Sequence, residues 1–411
     1  MRILMICHFF PPEIGAPQVR LSSFAKMWAA GGDDVTVLTT MPNYPSGVIP
    51  TEYRRRILRI EQKDGYRIVR TWLYAKRHQG MVGKTIGHLT FMVSGLFLGG
   101  GACGRPDVVL VSSPTLFSIA TGWALARLKR AHLVVEVRDL WPAAVKDLGV
   151  MKNRWAIGLL ERFELAAYAA ADLVVVASEG FRLNLIDRGV DADKIHTIPN
   201  GVNFAEFDTD MRADPALRSR LGAKRGDCLV LYAGTHGLQQ GLSTVVHAAA
   251  RLQNEAIHFS LVGEGVEKEL LQQLVVKTGL KNITFAPNVP HEQIPTLLAT
   301  ADICLVVQRA VPLFSISIPA KLSEYLASSR AVIGAVSGES ARILNEAGAL
   351  VVPAEDSVAL AEAIRPLADD SNLREIMGSQ ARSYVEKFFD RAELARRYKR
   401  LLATLKVDWT S

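Results

Sequence analysis

The sequence predicts an α/β protein built from two doubly wound, Rossmann-like domains. Its 411 residues are enough for two domains with separate hydrophobic cores. Two segments, which begin at Arg2 and at Cys228, each start with an apolar run of strand length that leads through a glycine-containing loop into a helix. Short apolar runs then alternate with helical patterns, which is typical of parallel sheets covered by helices on both faces.

The first half of the chain opens as a βαβ unit. An apolar run from Arg2 to Phe10 is followed by a loop containing Gly15, a periodic helix over Val19–Ala30 and a second strand over Val35–Thr39. In such open sheets, ligands bind at the carboxyl ends of the strands. Further strands are predicted at Tyr66–Tyr74, Asp107–Val111 and Asp172–Ala177, and further helices at Arg154–Ala171 and Glu179–Gly189.

The second half repeats this organisation. A predicted strand begins at Cys228, and others lie at Phe259–Val262 and Ile303–Val307, with a helix over Leu242–Gln253 and a strongly helical end over Arg374–Leu405. Between Ser315 and Ile333 the pattern is a loop, a helix that ends at Ser328 and a buried strand. Pro319 suits the first helical turn because it lacks an N–H, and Ser317 is expected to cap that turn.

Lys321 and Glu324 are the most informative charged pair. They are three residues apart, so they lie on one face of the predicted helix, near its positive end. A lysine and free N–H groups at that position can hold a diphosphate, and a carboxylate one turn later can accept hydrogen bonds from both hydroxyls of a ribose. The alternative for the same spacing is an ordinary surface ion pair.

Polar residues also follow the strand that begins at His132. This run ends in Arg138-Asp139-Leu140, which places charge at the same sheet edge as Gly15. The alternatives are a structural Arg–Asp pair and a glycine that serves only the turn. In the second half, His236 follows a strand within a Gly-rich turn, where a solvated loop histidine is the simpler interpretation.

Composition and charge narrow the class of partner. Hydrophobic residues are 49% and charged residues 22%, as in a soluble globular protein. The formal charge of +7 indicates an anionic partner, and basic residues crowd Arg54–Lys84 without a nucleic-acid motif. An anionic bilayer or a polyprenyl diphosphate fits better. Four widely spaced cysteines without metal spacing favour reduced thiols and a cytoplasmic location.

Residues 85–104 form a largely apolar segment without formal charge. A helix of that length could just cross a bilayer. His88, the glycines near its end and its position between two predicted strands favour a helix of the domain instead. We expect such a helix to expose an apolar face that rests in the membrane interface beside the basic region.

Two stretches resemble a known family. The sequence from Ser317 to Ala327, followed by the strand at Val332-Ile333, and the stretch Ile198–Asn203 are similar to the family 4 retaining glycosyltransferases, and more closely to a subgroup of O-antigen and capsule enzymes that includes N-acetyl-L-fucosamine transferases. The resemblance implies a GT-B fold, with two Rossmann-like domains facing across a cleft. It places an acceptor-side domain at 1–204, a donor nucleotide-binding domain at 205–384, and a C-terminal helix, 385–411, that returns to the first domain.

The resemblance also assigns roles to residues. Glu324 matches the family's second glutamate, which binds the donor ribose, whereas Ile316 replaces the first, which touches the donor sugar. Gly234 and Gln240 stand where the family often has an arginine and a lysine, so Lys321 is expected to carry more of the diphosphate charge. The implied catalytic residues are Asp139 and Lys321, and the implied donor-binding residues are Gly15, Arg138, Gly234, His236, Gln240, Gly263, Asn288, Val289, Ser317, Pro319 and Glu324.

The activity implied by this resemblance is retaining transfer of a sugar from a nucleoside diphosphate sugar, expected to be UDP-linked, to a lipid-linked saccharide in cell-surface polysaccharide biosynthesis. It requires no metal or other cofactor, and it implies a cytoplasmic protein attached peripherally to the inner face of the plasma membrane. Two alternatives stay open. A sugar-nucleotide epimerase would have Glu13 and Asp139 as its acid and base candidates, and the substitution at Ile316 is compatible with a degenerate sugar-nucleotide-binding scaffold.

Overall fold

The computed structural model describes residues 1–13, 15–44, 46–77, 81–113, 116–140, 143, 153–208, 211 and 213–405. The chain forms two compact α/β units. One contains Met1–Ile198 together with the C-terminal segment from Ala392, and the other contains Pro199–Arg391. The predicted fold class, with two doubly wound domains, is confirmed.

The first unit is built on an eight-stranded sheet. Its strands are β1 (Arg2–Ile6), β2 (Asp34–Thr40), β3 (Leu58–Lys63), β4 (Tyr66–Thr71), β5 (Val108–Ser112), β6 (His132–Val137), β7 (Leu173–Val176) and β8 (Ile195–Thr197). The order is β3-β4-β2-β1-β5-β6-β7-β8, and every described pairing is parallel except that of β3 with β4. Because the chain leaves β1 toward β2 on one side and β5 on the other, the topological switch point lies at the carboxyl end of β1.

Helices cover both faces of this sheet. They are α1 (Ala16–Ala30), α2 (Met81–Ser94, continued by a π turn at Gly95–Gly99 to Ala102), α3 (Leu116–Lys129), α4 (Arg154–Ala170), α5 (Glu179–Asp187) and, at the end of the chain, Arg391–Thr404. The last helix packs with α1: Trp28 Nε1 donates to the carbonyl oxygen of Ala395 at 3.0 Å. Helices α2, α3 and α4 lie side by side.

The second unit has a six-stranded parallel sheet. Its strands are β9 (Cys228–Ala233), β10 (Ile257–Val262), β11 (Ile283–Ala286), β12 (Ile303–Val307), β13 (Ala331–Ala335) and β14 (Leu350–Val352), in the order β11-β10-β9-β12-β13-β14. The switch point therefore lies between β9 and β12. The helices are α6 (Pro215–Arg220), α7 (Ser243–Arg251), α8 (Lys268–Thr278), α9 (Ile294–Thr300), α10 (Pro312–Ser315), α11 (Ala320–Ala327), α12 (Gly338–Glu346), α13 (Ser357–Asp369) and α14 (Ser371–Phe388).

Two details of the chain's path differ from the sequence-based expectation. The units divide at 198/199 and 391/392, a few residues from the expected 204/205 and 384/385. The reason is a backbone connection inside the second unit: Val202 N donates to Phe389 O at 2.8 Å, and Arg391 N donates to Val202 O at 3.0 Å. In addition, the predicted helical stretch Arg374–Leu405 is interrupted at Phe389-Asp390, and only its final part packs on the first unit.

Candidate functional site

The loops at the switch point of the second unit bring several predicted residues together. The loop after β9 starts at Gly234, the loop after β12 leads into α11, and Gly263 follows the neighbouring strand β10. Gly234 N donates to Val262 O at 2.8 Å, so the turns after β9 and β10 are joined by backbone hydrogen bonding. The carboxyl edge of this sheet is where an open α/β sheet binds a ligand.

Lys321 places its amine in this region without a hydrogen-bond partner. Helix α11 begins one residue earlier, and Nζ lies 3.8 Å from the centroid of the Tyr232 ring. The nitrogen is buried and, among the described residues, meets no hydrogen-bond acceptor. Burial lowers the pKa of Lys321 to about 7, although Glu324 opposes the shift. A buried cation supported by an aromatic ring is suited to receive an anion.

Gly234 makes the position of Lys321 possible. Its φ of +142° lies in a region that L side chains rarely adopt, and a Cβ there would stand 2.4 Å from Lys321 Nζ. Gly263 has the same requirement, because its φ is +149° and its Cβ would stand 1.9 Å from Gly234 O. The two glycines therefore let neighbouring turns approach each other and the lysine closely.

His236 is fully buried, so the simpler interpretation of a solvated loop histidine is wrong. Its backbone N donates to Glu264 O at 2.9 Å, and its carbonyl accepts from Glu267 N at 3.0 Å. Both ring nitrogens are buried and have no hydrogen-bond partner among the described residues. Burial, together with Lys268 and Lys321, lowers the pKa of His236 to about 4. The imidazole is therefore neutral near pH 7 and has one N–H to donate.

Two tyrosines fix the end of β9, and sequence analysis did not identify them. Tyr325 Oη donates to Ala233 O at 2.7 Å and accepts from Ala233 N at 2.8 Å, so it ties α11 to the strand. Tyr232 Oη donates to Thr235 O at 2.7 Å, which holds the ring that faces Lys321. The only local signal was that Tyr325 directly follows Glu324.

Glu324, on α11, lies near a second set of charged residues, which come from other elements. His291 and Arg391 favour the ionised carboxylate, but burial is the larger effect and raises the pKa of Glu324. His291 Nε2 lies 3.3 Å from Glu206 Oε2, and Glu206 raises the pKa of this histidine. Among the described residues no ion pair joins Lys321 to Glu324, so the surface-pair alternative is not what the structure shows. Sequence analysis did not identify Glu206, His291 or Arg391, and no local pattern points to them.

The predicted cap at Ser317 is wrong. Helix α11 starts at Ala320 with Pro319 at its N-cap, and no side chain accepts from its first N–H groups. Ser317 Oγ instead donates to Phe314 O at 3.1 Å and lies 3.4 Å from Gln308 Nε2. The helix starts two residues later than a cap at Ser317 would require, and its N-cap residue Pro319 has no side-chain acceptor to offer its first N–H groups.

The remaining predicted residues of this unit flank these turns. Gln240 is half-buried in the turn after β9, where its backbone N donates to Gly237 O at 3.1 Å. Asn288 is exposed and Val289 half-buried in the loop after β11. Gly263 N donates to Ala286 O at 3.1 Å, so that loop adjoins the one after β10.

In the first unit, the predicted residues lie after β1 and β6. Gly15 has an extended φ of 169°, which any residue adopts, but a Cβ there would stand 2.5 Å from Gln18 Oε1. Arg138 is buried, and its backbone N donates to Ser113 Oγ at 3.2 Å. Asp139 is exposed at the carboxyl end of β6.

Glu13 is buried in the loop after β1 and is engaged with the backbone. Its carboxylate accepts from Phe10 N at 3.1 Å and from Asn43 N and Tyr44 N at 2.8 Å each. Burial nevertheless raises the pKa of this carboxyl. These three hydrogen bonds indicate that Glu13 stabilises the loop after β1.

Among the described residues, no group of three His, Cys, Asp or Glu side chains could hold a metal ion.

Family models match both halves of the chain. A glycosyl transferase 4-like domain matches residues 15–201, and the model for glycosyl transferases group 1 matches residues 214–384. The WcaI protein of Escherichia coli (strain K12), whose name refers to glycosyl transfer in colanic acid biosynthesis, is 29% identical over 408 residues, which are 97% of this chain and 98% of that protein.

Solved structures show the same fold over the whole chain. Sucrose-phosphate synthase from Thermosynechococcus elongatus superposes with a TM-score of 0.77 at 21% identity and covers 99% of both chains. Anabaena Alr3699/HepE in complex with UDP-glucose has a TM-score of 0.72 at 18% identity and covers 98% of this chain and 100% of its own. From the two family models and the relative matched along its whole length, the chain belongs to the family 4 glycosyltransferases of the GT-B fold.

Proposed function

We propose that this glycosyltransferase moves a sugar, with retention of anomeric configuration, from a UDP-sugar to a lipid-linked saccharide during assembly of a cell-surface polysaccharide. The observation that carries the proposal is the amine of Lys321, buried on the Tyr232 ring beside an uncapped helix start. A bound diphosphate would supply the negative charge and the hydrogen-bond acceptors that the amine and the helix start do not find among the described residues.

The donor assignment draws on the residues around Lys321. The diphosphate would lie against the amine and the first N–H groups of α11, with the neutral imidazole of His236 as a further donor. Glu324 would accept hydrogen bonds from the ribose hydroxyls, and the backbone near Asn288 and Val289 would contact the base. Uracil is proposed because the Anabaena structure is a complex with UDP-glucose.

The reaction would depend on stabilising the leaving group. As the bond from the anomeric carbon to the diphosphate breaks, its electrons pass to the diphosphate oxygen, and Lys321 with the helix N–H groups would balance that charge. The acceptor hydroxyl oxygen then bonds to the anomeric carbon, and its proton passes to the diphosphate. Asp139 and Arg138 would contact the donor sugar, and the Gly15 loop the donor phosphates and acceptor. Because Ile316 stands in place of the family's first glutamate, other groups would have to make that residue's contact with the donor sugar.

The acceptor assignment draws on the relative and on charge. The name of WcaI refers to colanic acid biosynthesis, and the present chain carries a formal charge of +7. A cationic protein that modifies a lipid-linked saccharide would work at an anionic membrane surface, so peripheral attachment to the inner face of the plasma membrane is part of the proposal.

The epimerase alternative loses support because Glu13 is held by three backbone N–H groups.

A donor panel tests the proposal. Purified protein is incubated with radiolabelled UDP-, GDP-, ADP- and dTDP-sugars, with and without a lipid extract from the source cell, and with excess EDTA in parallel. We expect label in the lipid fraction with one UDP-sugar, unaffected by EDTA, and an α linkage from an α donor by NMR. Conversion of the donor without lipid would instead indicate an epimerase, and tight donor binding without transfer would indicate a scaffold.

A further inference from the structure

Helix α2 exposes a continuous apolar stripe. Its outward residues recur at i, i+4, i+7, i+11 and i+15 and are Val82, Ile86, Leu89, Val93 and Phe97. The opposite side of the helix packs on the sheet, where Phe91 is fully buried and a Cβ on Gly99 would stand 2.4 Å from Leu38 Cδ1. Val82–Ala102 is long and apolar enough to cross a membrane, but a third of that stretch is buried inside the protein. One side of α2 thus belongs to the core, and the other faces outward.

The two helices beside α2 continue this apolar surface. Helix α3 exposes Trp123 and Leu128, and helix α4 exposes Trp155, Leu159 and Phe163 at i, i+4 and i+8. The most exposed is Trp155, at 86%, followed by Val82 and Phe97 at 74% each and Leu128 at 73%. We refer to the outward surface of α2, α3 and α4 as the three-helix face. Large contiguous apolar surfaces of this kind mark interaction sites.

The charges on the three-helix face are mostly positive. The basic residues on its helices are Lys84, Arg127, Lys129, Arg154 and Arg162, and the acidic ones are Glu161 and Glu164. Glu164 is buried, accepts from Tyr168 Oη at 2.9 Å and pairs with Arg188. One acidic residue therefore offsets the basic residues at the surface, which makes this face complementary to an anionic partner.

A cavity of about 610 Å³ opens between the ends of α2 and α3. Leu96, Gly100, Leu125 and Leu128 form its apolar part, and Arg105, Lys129 and Arg130 form its cationic part. Lys129 Nζ donates to Gly104 O, and the side chains of Arg105 and Arg130 are exposed. An apolar wall beside exposed guanidinium groups fits an amphiphile with an anionic head.

We infer that the three-helix face docks on an anionic phospholipid bilayer, with a lipid phosphate at the cavity cations. Tryptophans and phenylalanines would enter the headgroup region while the basic residues contact phosphates. This deepens the proposed membrane-bound acceptor by naming the docking surface. A second copy of the chain is a poorer partner, because a symmetric contact would bring the basic residues of one copy against those of the other.

Vesicle co-sedimentation of the full-length protein tests the inference. The vesicles are pure phosphatidylcholine or a mixture with phosphatidylglycerol, and no donor or acceptor is added. An apolar variant carries Phe97→Asn, Leu128→Asn and Trp155→Asn, and its control carries Val266→Asn, Leu270→Asn and Val276→Asn on exposed positions of the second unit. A charge variant carries Arg105→Gln, Arg127→Gln and Arg130→Gln, and its control, with the same net charge, carries Arg251→Gln, Lys277→Gln and Lys281→Gln.

We expect the unmodified protein to bind only the vesicles that contain phosphatidylglycerol, and both face variants to lose about tenfold or more in partition while their controls do not. The charge variant should also lose most of the salt dependence. Equal binding by a face variant and its control would overturn the inference, as would a concentration-dependent dimer that only the apolar variant abolishes. Since no sugar is transferred in this assay, failure of the proposed reaction leaves its result unchanged.

Discussion

The amine of Lys321 lies 3.8 Å from the centroid of the Tyr232 ring and beside Gly234, where an added Cβ would stand 2.4 Å from Nζ. The ring presents its negative face to the amine and the glycine leaves room for it, so the amine is desolvated and, in the described part of the chain, has no hydrogen-bond acceptor. The preceding strand, the turn and the helix α11 together create this position. The consequences for binding and turnover are testable.

Replacing Lys321 by alanine should lower turnover about 100-fold or more, the scale seen when one preorganised charge-stabilising donor is lost. The measurement is initial rate with saturating donor, which separates turnover from donor affinity. The matched control is Lys281→Ala, an exposed lysine in the same unit. An unchanged turnover in Lys321→Ala would end its assignment to the leaving group.

Donor affinity should fall as pH rises through about 7. Burial lowers the pKa of Lys321 to about 7, so in the free protein the amine is charged below that pH and neutral above it. A bound diphosphate favours the ammonium, so binding takes up a proton above pH 7, and affinity should weaken by up to about tenfold per pH unit.

Calorimetry with a UDP-sugar between pH 6.5 and 8.5 measures this effect, because both phosphates of the donor are diesters that do not titrate there. Buffers of different ionisation enthalpy report the proton uptake. A Lys321→Met variant should bind weakly with little dependence on pH. If the unmodified protein takes up no proton at pH 8, the amine is already charged without a ligand.

Gly234→Ala should impair donor binding without unfolding the protein. The new methyl group would occupy the place of Lys321 Nζ and would also impose strain at a φ of +142°. We expect donor affinity to fall at least as far as in Lys321→Ala, with a modest loss of thermal stability. The control is Gly226→Ala, which also has a positive φ, of +95°, but meets no atom within 4 Å. If both variants bound the donor equally well, the contact between the position 234 methyl group and Lys321 would have no effect on donor binding, which contradicts the prediction.

Tyr325→Phe should destabilise the second unit by about 1–3 kcal/mol, because it leaves the buried N–H and C=O of Ala233 without their hydroxyl partner. Tyr398→Phe is the matched control: that hydroxyl is also buried but has no hydrogen-bond partner among the described residues. Its loss should change the unfolding free energy by less than about 0.5 kcal/mol. Urea unfolding compares the two variants, and similar midpoints would remove the role assigned to Tyr325.

The sequence predicted the elements whose patterns are local. The spacing of Lys321 and Glu324 placed both on one helix near its start, and the apolar runs located most parallel strands. The edge strand Leu58–Lys63 was missed although Leu58 and Ile60 alternate with Arg59 and Glu61 as in a half-exposed strand, because this region was interpreted only from its basic residues.

Relationships between distant residues were beyond sequence reasoning. The hydroxyl of Tyr325 meets a strand 92 residues away, and buried His236 packs against the turn at Gly263 and Gly265 and against the ring of Phe285. The Ser317 cap failed for a local reason, since the proline moved the helix start and the hydroxyl found Phe314 O. Periodicity fixes which face a residue occupies, whereas its partners depend on the packing of both elements.

The buried pair of Arg20 and Glu136 should contribute strongly to the stability of the first unit. Arg20 Nε lies 3.0 Å from Glu136 Oε1, its Nη2 donates to Ile198 O at 2.9 Å, and both side chains are 2% exposed. Burial acts to raise the pKa of Glu136, but Arg20 and Arg138 together hold it below its ordinary value. Arg20→Met would leave this carboxylate with less compensation, at a cost of about 3–5 kcal/mol.

Urea unfolding at pH 7 measures that cost, and the double variant Arg20→Met with Glu136→Leu should recover part of it, because neither member of this pair then stays buried without the other. The direction with pH follows from the lowered pKa of Glu136. Its contribution is present above the carboxyl's unfolded pKa and is lost as pH falls through the folded value, so the unmodified protein should lose more stability on acidification than the double variant. An Arg20→Met variant as stable as the unmodified protein at pH 7 would show that Arg138 alone suffices for Glu136.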